Sequence, residues 1–279
     1  MKRRSYVRTA SVVGAFSIAG CLGSDPDPGD DSPGEDTPTD SSGETTPDER
    51  TPDAGTPDDG PAEETPTEGP TPEAANEYGY ATLTRDGVDV PLVPYEDAYE
   101  WYGEENVLFV DARDDWSYNK ARIAGAVLSP APDGLDDDDP VAAVSQSTKI
   151  VTYCVCPHTL ASMRAASLIK DGYVHAYAID EGLRPWLESG YPAEGDDVAR
   201  LPDTFSINGR TDPSLAGEFA WVRHIPSGQR EVTEIKADGR FEMDVHFHDV
   251  GPETEVSLST PEAEVTDTLG TFASSVVDV

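Results

Sequence analysis

Short apolar runs alternate with segments of helical periodicity in the middle of the chain. The runs "NVLFVDA", "KIVTYC" and "VHAYAI" predict buried strands. Helical spacing occurs in "VPYEDAYEWYG", between Leu160 and Gly172, and in "EGLRPWLESGYP". Because strands and helices alternate, residues 78–199 are predicted to form an α/β domain whose parallel sheet is covered by helices on both faces.

The hydrophobic period changes after about residue 200. In "GRFEMDVHFHDV" apolar and polar residues alternate strictly, and several other short runs are rich in β-forming residues. Residues 200–279 are therefore predicted to form a small all-β, sandwich-like domain. His246 and His248 lie on the polar side of this alternation. We expect them to face solvent rather than to bind a metal.

Residues 22–77 have almost no large apolar side chains. They contain 18 acidic residues against one basic residue, and the whole chain has a net charge of −36. Such a segment cannot bury enough surface to offset its ordering entropy, so we predict a disordered acidic stalk rich in Thr and Pro. The charge would repel nucleic acid, so no nucleic-acid partner is expected. The composition resembles that of halophilic archaeal proteins.

Residues 1–21 are predicted to be an export signal. Arg3 and Arg4 precede a weakly apolar stretch that is too short to span a membrane and ends in "IAGC". This arrangement resembles a twin-arginine signal with a lipobox, which would lipidate Cys21. We therefore expect an exported protein that a lipid on Cys21 anchors to the outer face of the cell membrane.

Cys154 is the principal candidate for chemistry. It directly follows a predicted buried strand and precedes a predicted helix, and ligands of α/β sheets bind at that edge. The unpaired N–H groups of a helix N-terminus stabilise an anion, which favours a thiolate at this position. The position suits a nucleophile.

Residues 79–194 resemble the rhodanese family. "VLFVDARDDWSYNKARIAGAVLSP" is similar to the first half of a rhodanese domain, with its Asp-x-Arg pair and Gly-Ala turn. "IVTYC" and "AYAIDEGLRPWLESGYPA" are similar to the second half. The resemblance implies that Cys154 accepts sulfane sulfur as a persulfide, and that Asp111 and Arg113 support the site.

The implied active-site loop departs from the family pattern Cys-x-x-Gly-x-Arg. No arginine stands at the fifth position after Cys154. Pro157 stands where the family has glycine, and proline lacks a backbone N–H. Arg164, on the following helix, is a candidate anion-binding residue, although a helix-surface arginine is the commoner case. The candidate loop residues are Val155, Cys156, Pro157, His158, Thr159 and Leu160.

Cys156 has three interpretations. It can resolve a Cys154 persulfide or sulfenate in a redox reaction, bind a soft metal together with His158, or shape the loop as a small buried residue. The loop supplies at most three ligands, so we predict no metal and no cofactor.

The leading hypothesis is a membrane-anchored, extracytoplasmic sulfurtransferase, or a related thiol redox protein. Its partners would be a small sulfur donor, thiosulfate or polysulfide, and a thiol acceptor. The alternatives are a non-catalytic rhodanese-fold binding or regulatory module, with the β domain contacting a protein partner, and a Cys/His metal-binding loop.

Overall fold

The computed structural model describes residues 73–155 and 159–279. The predicted export signal, nearly all of the predicted stalk, and Cys156, Pro157 and His158 lie outside the described residues. Within the described ranges, no helix is long and apolar enough to cross a membrane.

The first part of the described chain, which we call the α/β part, contains eight strands and four α-helices. The strands are β1 (Thr82–Arg85), β2 (Val88–Val93), β3 (Val107–Asp111), β4 (Arg122–Ile123), β5 (Val127–Leu128), β6 (Lys149–Tyr153), β7 (Ala176–Ile179) and β8 (Ala193–Glu194). The helices are α1 (Tyr95–Trp101), α2 (Asp115–Lys120), α3 (Thr159–Lys170) and α4 (Leu183–Glu188).

Six of these strands form one sheet, in the order β1-β2-β7-β6-β3-β5. The neighbouring strands β2 and β7, β7 and β6, β6 and β3, and β3 and β5 pair in parallel. The edge strand β1 pairs with β2 in antiparallel fashion. Strands β4 and β8 form a separate antiparallel ladder. The predicted parallel sheet is confirmed, with an antiparallel strand at one edge.

Helices cover both faces of this sheet, as predicted. On one face, α3 packs through Leu160 against strand residues such as Ile150. On the other face, α4 packs through Trp186 against Val151 and its neighbours. Successive residues of a strand point to opposite faces, so a strand buried on both sides must be apolar at every position. This explains the continuous apolar run Val107–Val110 of β3.

The second part of the described chain is a β-sandwich. Its strands are β9 (Phe205–Arg210), β10 (Phe219–His224), β11 (Gln229–Glu234), β12 (Arg240–Val245), β13 (Glu255–Ser259), β14 (Glu264–Thr268) and β15 (Val277–Asp278). One sheet has the order β11-β10-β13-β14 and the other has the order β12-β9-β15. Buried residues of both sheets form one core, including Ile207, Val222, Met243 and Leu258.

One helix interrupts the predicted all-β pattern. Residues Leu269–Ser274 form α5, and the Thr268 side chain accepts a hydrogen bond from the Thr271 backbone N–H at its start. The strand β14 ends at Thr268, where this cap begins. Leu269 and Phe272 of the helix close the sandwich core.

The β11-β10-β13-β14 sheet also packs against the α/β part. Ala220 and Val222 of β10 point into the sandwich core, so the alternate residues Phe219 and Trp221 point away from it. These two residues, together with Val232 of β11, pack against the core beneath α3. An ion pair between Arg85 and Glu234 lies beside this contact.

Candidate active site

Cys154 lies between the end of β6 and the start of α3. The strand ends at Tyr153 and the helix begins at Thr159, so the thiol is at the carboxyl edge of the parallel sheet. Its side chain is 1% exposed and belongs to the apolar core on the α3 side. The Cys154 carbonyl oxygen accepts a hydrogen bond from the Leu183 backbone N–H at 2.8 Å, which fixes the strand end against α4.

The described residues that flank the loop are well packed. Val155 and Leu160 are buried, and Thr159 is half-buried. The Thr159 carbonyl oxygen accepts a hydrogen bond from the Ser162 hydroxyl. The arrangement of Cys156, Pro157 and His158, which includes the predicted Cys156 and His158 chemistry, lies outside the described residues.

Asp111 and Arg113 form a buried ion pair on the neighbouring strand end. Arg113 Nε donates to Asp111 Oδ1 at 2.9 Å and Nη2 donates to Asp111 Oδ2 at 2.6 Å. The same Nη2 donates to the Ala121 carbonyl oxygen. Asp111 lies opposite Tyr153 in the β3–β6 register. Tyr153 is the residue before Cys154, so the ion pair lies beside the strand end that carries Cys154.

Burial disfavours the charged form of Arg113, but the opposite charge and hydrogen bonds of Asp111 outweigh it and raise the pKa of Arg113. The guanidinium therefore remains a fixed cation. Its Nη1 atom is buried and has no hydrogen-bond acceptor among the described residues.

A small pocket lies beside the loop and includes residues from both parts of the chain. Arg113 and Val155 line it from the α/β part, and His248 lines it from the sandwich. The other lining residues are Ala121, Leu183, Arg184, Leu187, Leu201 and Pro202.

His246 and His248 are buried, so the expectation that they face solvent was wrong. The alternation holds through Asp244, which is exposed, but β12 ends at Val245. The following segment lies against the α/β part. The Gln229 side chain holds it by donating to the His248 carbonyl oxygen at 3.0 Å and accepting from the His248 backbone N–H at 2.6 Å.

His248 is neutral at physiological pH in this environment. Burial is the main cause, and the nearby positive charge of Arg113 adds to it, which lowers the pKa of His248 to about 4. Burial, together with Arg184, also lowers the pKa of His246. The imidazole of His248 is thus a neutral hydrogen-bonding group beside the fixed cation of Arg113.

Arg164 is also buried rather than placed on the helix surface. Its Nε donates to the Ser129 hydroxyl at 2.8 Å, and its Nη2 forms an ion pair with Asp139 at 3.2 Å. Asp139 is the last residue of the acidic run Asp136–Asp139, whose first three residues are exposed. Its carboxylate caps the 3₁₀ helix Pro140–Ala143 and binds Arg164. This ion pair holds the loop after β5 against α3.

The approach of sandwich residues to this edge of the sheet was not predicted from the sequence. Gln229, Arg230 and His248 are placed there by packing between segments that are distant along the chain. Within the described part of the chain, no group of three or more His, Cys, Asp or Glu side chains is arranged to hold a metal ion.

Comparison with known proteins agrees with this architecture. Residues 95–189, about a third of the chain, match the family model of the rhodanese-like domain. This segment of the chain is therefore a rhodanese-like domain. No curated protein matches the chain.

Several solved structures are similar to part of this chain. The rhodanese-like domain of an Anabaena protein is 26% identical, with a TM-score of 0.36, and the match covers 40% of this chain and 85% of that one. A protein from Bacillus halodurans is 24% identical, with a TM-score of 0.34, and the match covers 37% of this chain and 76% of that one.

Proposed function

We propose that Cys154 carries sulfane sulfur as a persulfide, in a sulfurtransferase reaction between a small sulfur donor and a thiol acceptor. One observation supports this most directly. The thiol stands at the carboxyl end of a central parallel strand, between β6 and the helix α3, within the segment that matches the rhodanese-like domain.

The reaction balances without a cofactor. The Cys154 thiolate attacks the outer sulfur of thiosulfate, a new S–S bond forms, and the bond from that sulfur to the sulfonate sulfur breaks. Sulfite leaves with the electron pair, and Cys154 becomes a persulfide anion. An acceptor thiolate then attacks the terminal sulfur and regenerates the Cys154 thiolate. The first backbone N–H groups of α3 have no acceptor within the helix and can stabilise the anionic sulfur.

A second candidate function is a non-catalytic binding module. The 1% exposure of Cys154 favours it, since a nucleophile must be reached by its substrate. Pro157, which lacks an N–H, and Thr159, which stands where the family has arginine, favour it as well. In that case the sandwich would bind a protein partner.

Mass spectrometry of the full-length protein in high salt distinguishes the two candidates. The reduced protein is exposed to thiosulfate or polysulfide and digested, and the peptide that contains both Cys154 and Cys156 is fragmented to assign any added sulfur to one cysteine. We expect a gain of about 32 Da, the mass of one sulfur, on the Cys154 peptide. The gain should persist in Cys156→Ser and disappear in Cys154→Ser.

Each other result has a definite meaning. No added sulfur at Cys154 in any form of the protein would overturn the persulfide proposal and favour the binding module. A loss of about 2 Da that requires both Cys154 and Cys156 would instead indicate a dithiol redox site.

We also propose that the protein acts outside the cytoplasm and is anchored to the membrane by a lipid on Cys21. The sequence of the first 21 residues supports this proposal. Cys21→Ser should release the protein into the medium or block its processing, as measured by cell fractionation and immunoblotting. A processed Cys21→Ser protein that remains in the membrane fraction would exclude this anchor.

A further inference from the structure

Arg230 of the sandwich reaches the edge of the sheet where Cys154 lies. Its Nη2 donates to the Ala131 carbonyl oxygen at 2.6 Å. The Ala131 N–H donates to the Ala112 carbonyl oxygen, and the Ala112 N–H donates to the carbonyl oxygen of Tyr153, the residue before Cys154. A continuous chain of hydrogen bonds thus joins Arg230 to the end of β6.

Arg223 lies directly opposite Arg230 in the β10–β11 register. Both guanidinium groups lie near the Trp221 ring, at 4.8 Å and 5.7 Å from its centroid. Two like charges placed directly opposite in a sheet destabilise it, although the contacts with the Trp221 ring offset part of this cost. Such a pair needs an opposite charge.

The described residues do not supply that charge at ion-pair distance. Six other arginines form ion pairs with carboxylates, but neither Arg223 nor Arg230 does so within the described ranges. The carboxylates that influence them, Asp114 and Glu264, are already hydrogen-bonded to Ser117 and Ser257.

The side-chain hydrogen-bond partners of both arginines among the described residues are neutral. Arg223 Nη1 donates to the Ser259 hydroxyl, a neutral partner. Arg230 Nε is buried and has no acceptor among the described residues. Burial lowers the pKa of each guanidinium, which reflects the cost of holding an uncompensated charge away from water. The chain has a net charge of −36, so two adjacent arginines without an acidic partner are unusual in it.

Trp221, whose ring lies near both guanidinium groups, packs against the core cluster that contains Cys154. We propose that Arg223 and Arg230 form the anion-binding part of the Cys154 site and hold the oxyanion end of a small sulfur donor, such as the sulfonate group of thiosulfate. They would supply, from the sandwich, the cation that the loop lacks at Thr159. This inference rests on the proposed reactivity of Cys154.

The test compares two alkylating reagents that differ in charge. Iodoacetate is an anion and iodoacetamide is neutral, so the ratio of their reaction rates at Cys154 reports anion binding beside the thiol. The rates are measured on the full-length protein by peptide mass spectrometry. In the double variant Arg223→Gln, Arg230→Gln, the iodoacetate-to-iodoacetamide ratio should fall about tenfold, as expected for the loss of a charge-assisted contact. The iodoacetamide rate should change less than about twofold.

Matched variants separate binding from folding. Arg240→Gln removes an exposed arginine of the same sandwich, paired with Asp238, and should leave the ratio unchanged. The double variant Arg223→Lys, Arg230→Lys keeps both charges and should restore most of the ratio. An unchanged ratio in the glutamine double variant, or an equal fall in both rates, would overturn the proposal.

The persulfide measurement and the alkylation ratio together distinguish a failure of the anion site from a failure of the sulfurtransferase proposal. If Cys154 gains no sulfur but the alkylation ratio falls, the anion site stands and the sulfurtransferase proposal fails. If the glutamine double variant takes sulfur from thiosulfate as fast as the natural protein, the anion site is refuted and the sulfurtransferase proposal stands.

Discussion

The Asp111–Arg113 pair is the most completely buried ion pair at the candidate site. Both side chains are almost fully inaccessible to water, and two hydrogen bonds join them. Taking two charges out of water costs several kcal/mol for each, which the bidentate geometry offsets. The burial of the Arg113 cation at the site therefore depends on the counter-charge of Asp111.

Asp111→Asn tests this dependence. The substitution keeps the shape of the side chain but leaves the Arg113 cation without its counter-charge, so the free energy of unfolding should fall by about 3–5 kcal/mol. Denaturant unfolding in high salt measures the change. Asp278→Asn breaks the exposed pair with Arg210 and should leave the unfolding free energy nearly unchanged. Similar losses in both variants would contradict this account.

At the level of single residues, the sequence predicted what depends on local order. It predicted that Cys154 follows a buried strand and precedes a helix, because the apolar run and the helical spacing are continuous in sequence. It did not predict the burial of Arg164, His246 or His248. Each is buried by a segment that approaches from elsewhere in the chain, such as the loop with Asp139 or the side chain of Gln229.

At the level of elements, hydrophobic periodicity predicted a strand or helix correctly where a single period continued along the whole element. The period of two predicted β12, whose buried and exposed residues alternate throughout. The turn signal "ADGR" joins β11 to β12, and Gly239 there has a φ of +79° with the Thr211 carbonyl oxygen close by, so a side chain would be strained. The helix α5 was missed because its start is set by one Thr268 side-chain hydrogen bond.

At the level of the whole molecule, the two parts share a hydrophobic core and several charged contacts. The outer face of the β11-β10-β13-β14 sheet packs against the core beneath α3, and Lys120 pairs with Asp249 next to His248. The change in hydrophobic period separated these two parts in the sequence, but periodicity does not encode how they pack against each other. The candidate site lies where they meet, so the sandwich contributes to the surroundings of the Cys154 loop.

Acidification tests the contact between the two parts through His248. The pKa of His248 is about 4 in the folded protein, against an ordinary value of 6.5, because of burial and the charge of Arg113. Between these values the unfolded chain binds a proton that the folded chain does not bind. The free energy of unfolding should therefore fall as the pH drops from about 6.5 to about 4, by at most about 3 kcal/mol.

His248→Gln isolates this contribution from the other groups that titrate in the same range. Lys120, Asp197 and Asp249 also face His248, and acidification reduces the repulsion among the many carboxylates, but these effects occur in both proteins. Urea unfolding in high salt should show a stability advantage of the natural protein that is largest above pH 6.5 and shrinks toward pH 4. Parallel stability curves would mean that His248 does not link the two parts in this way.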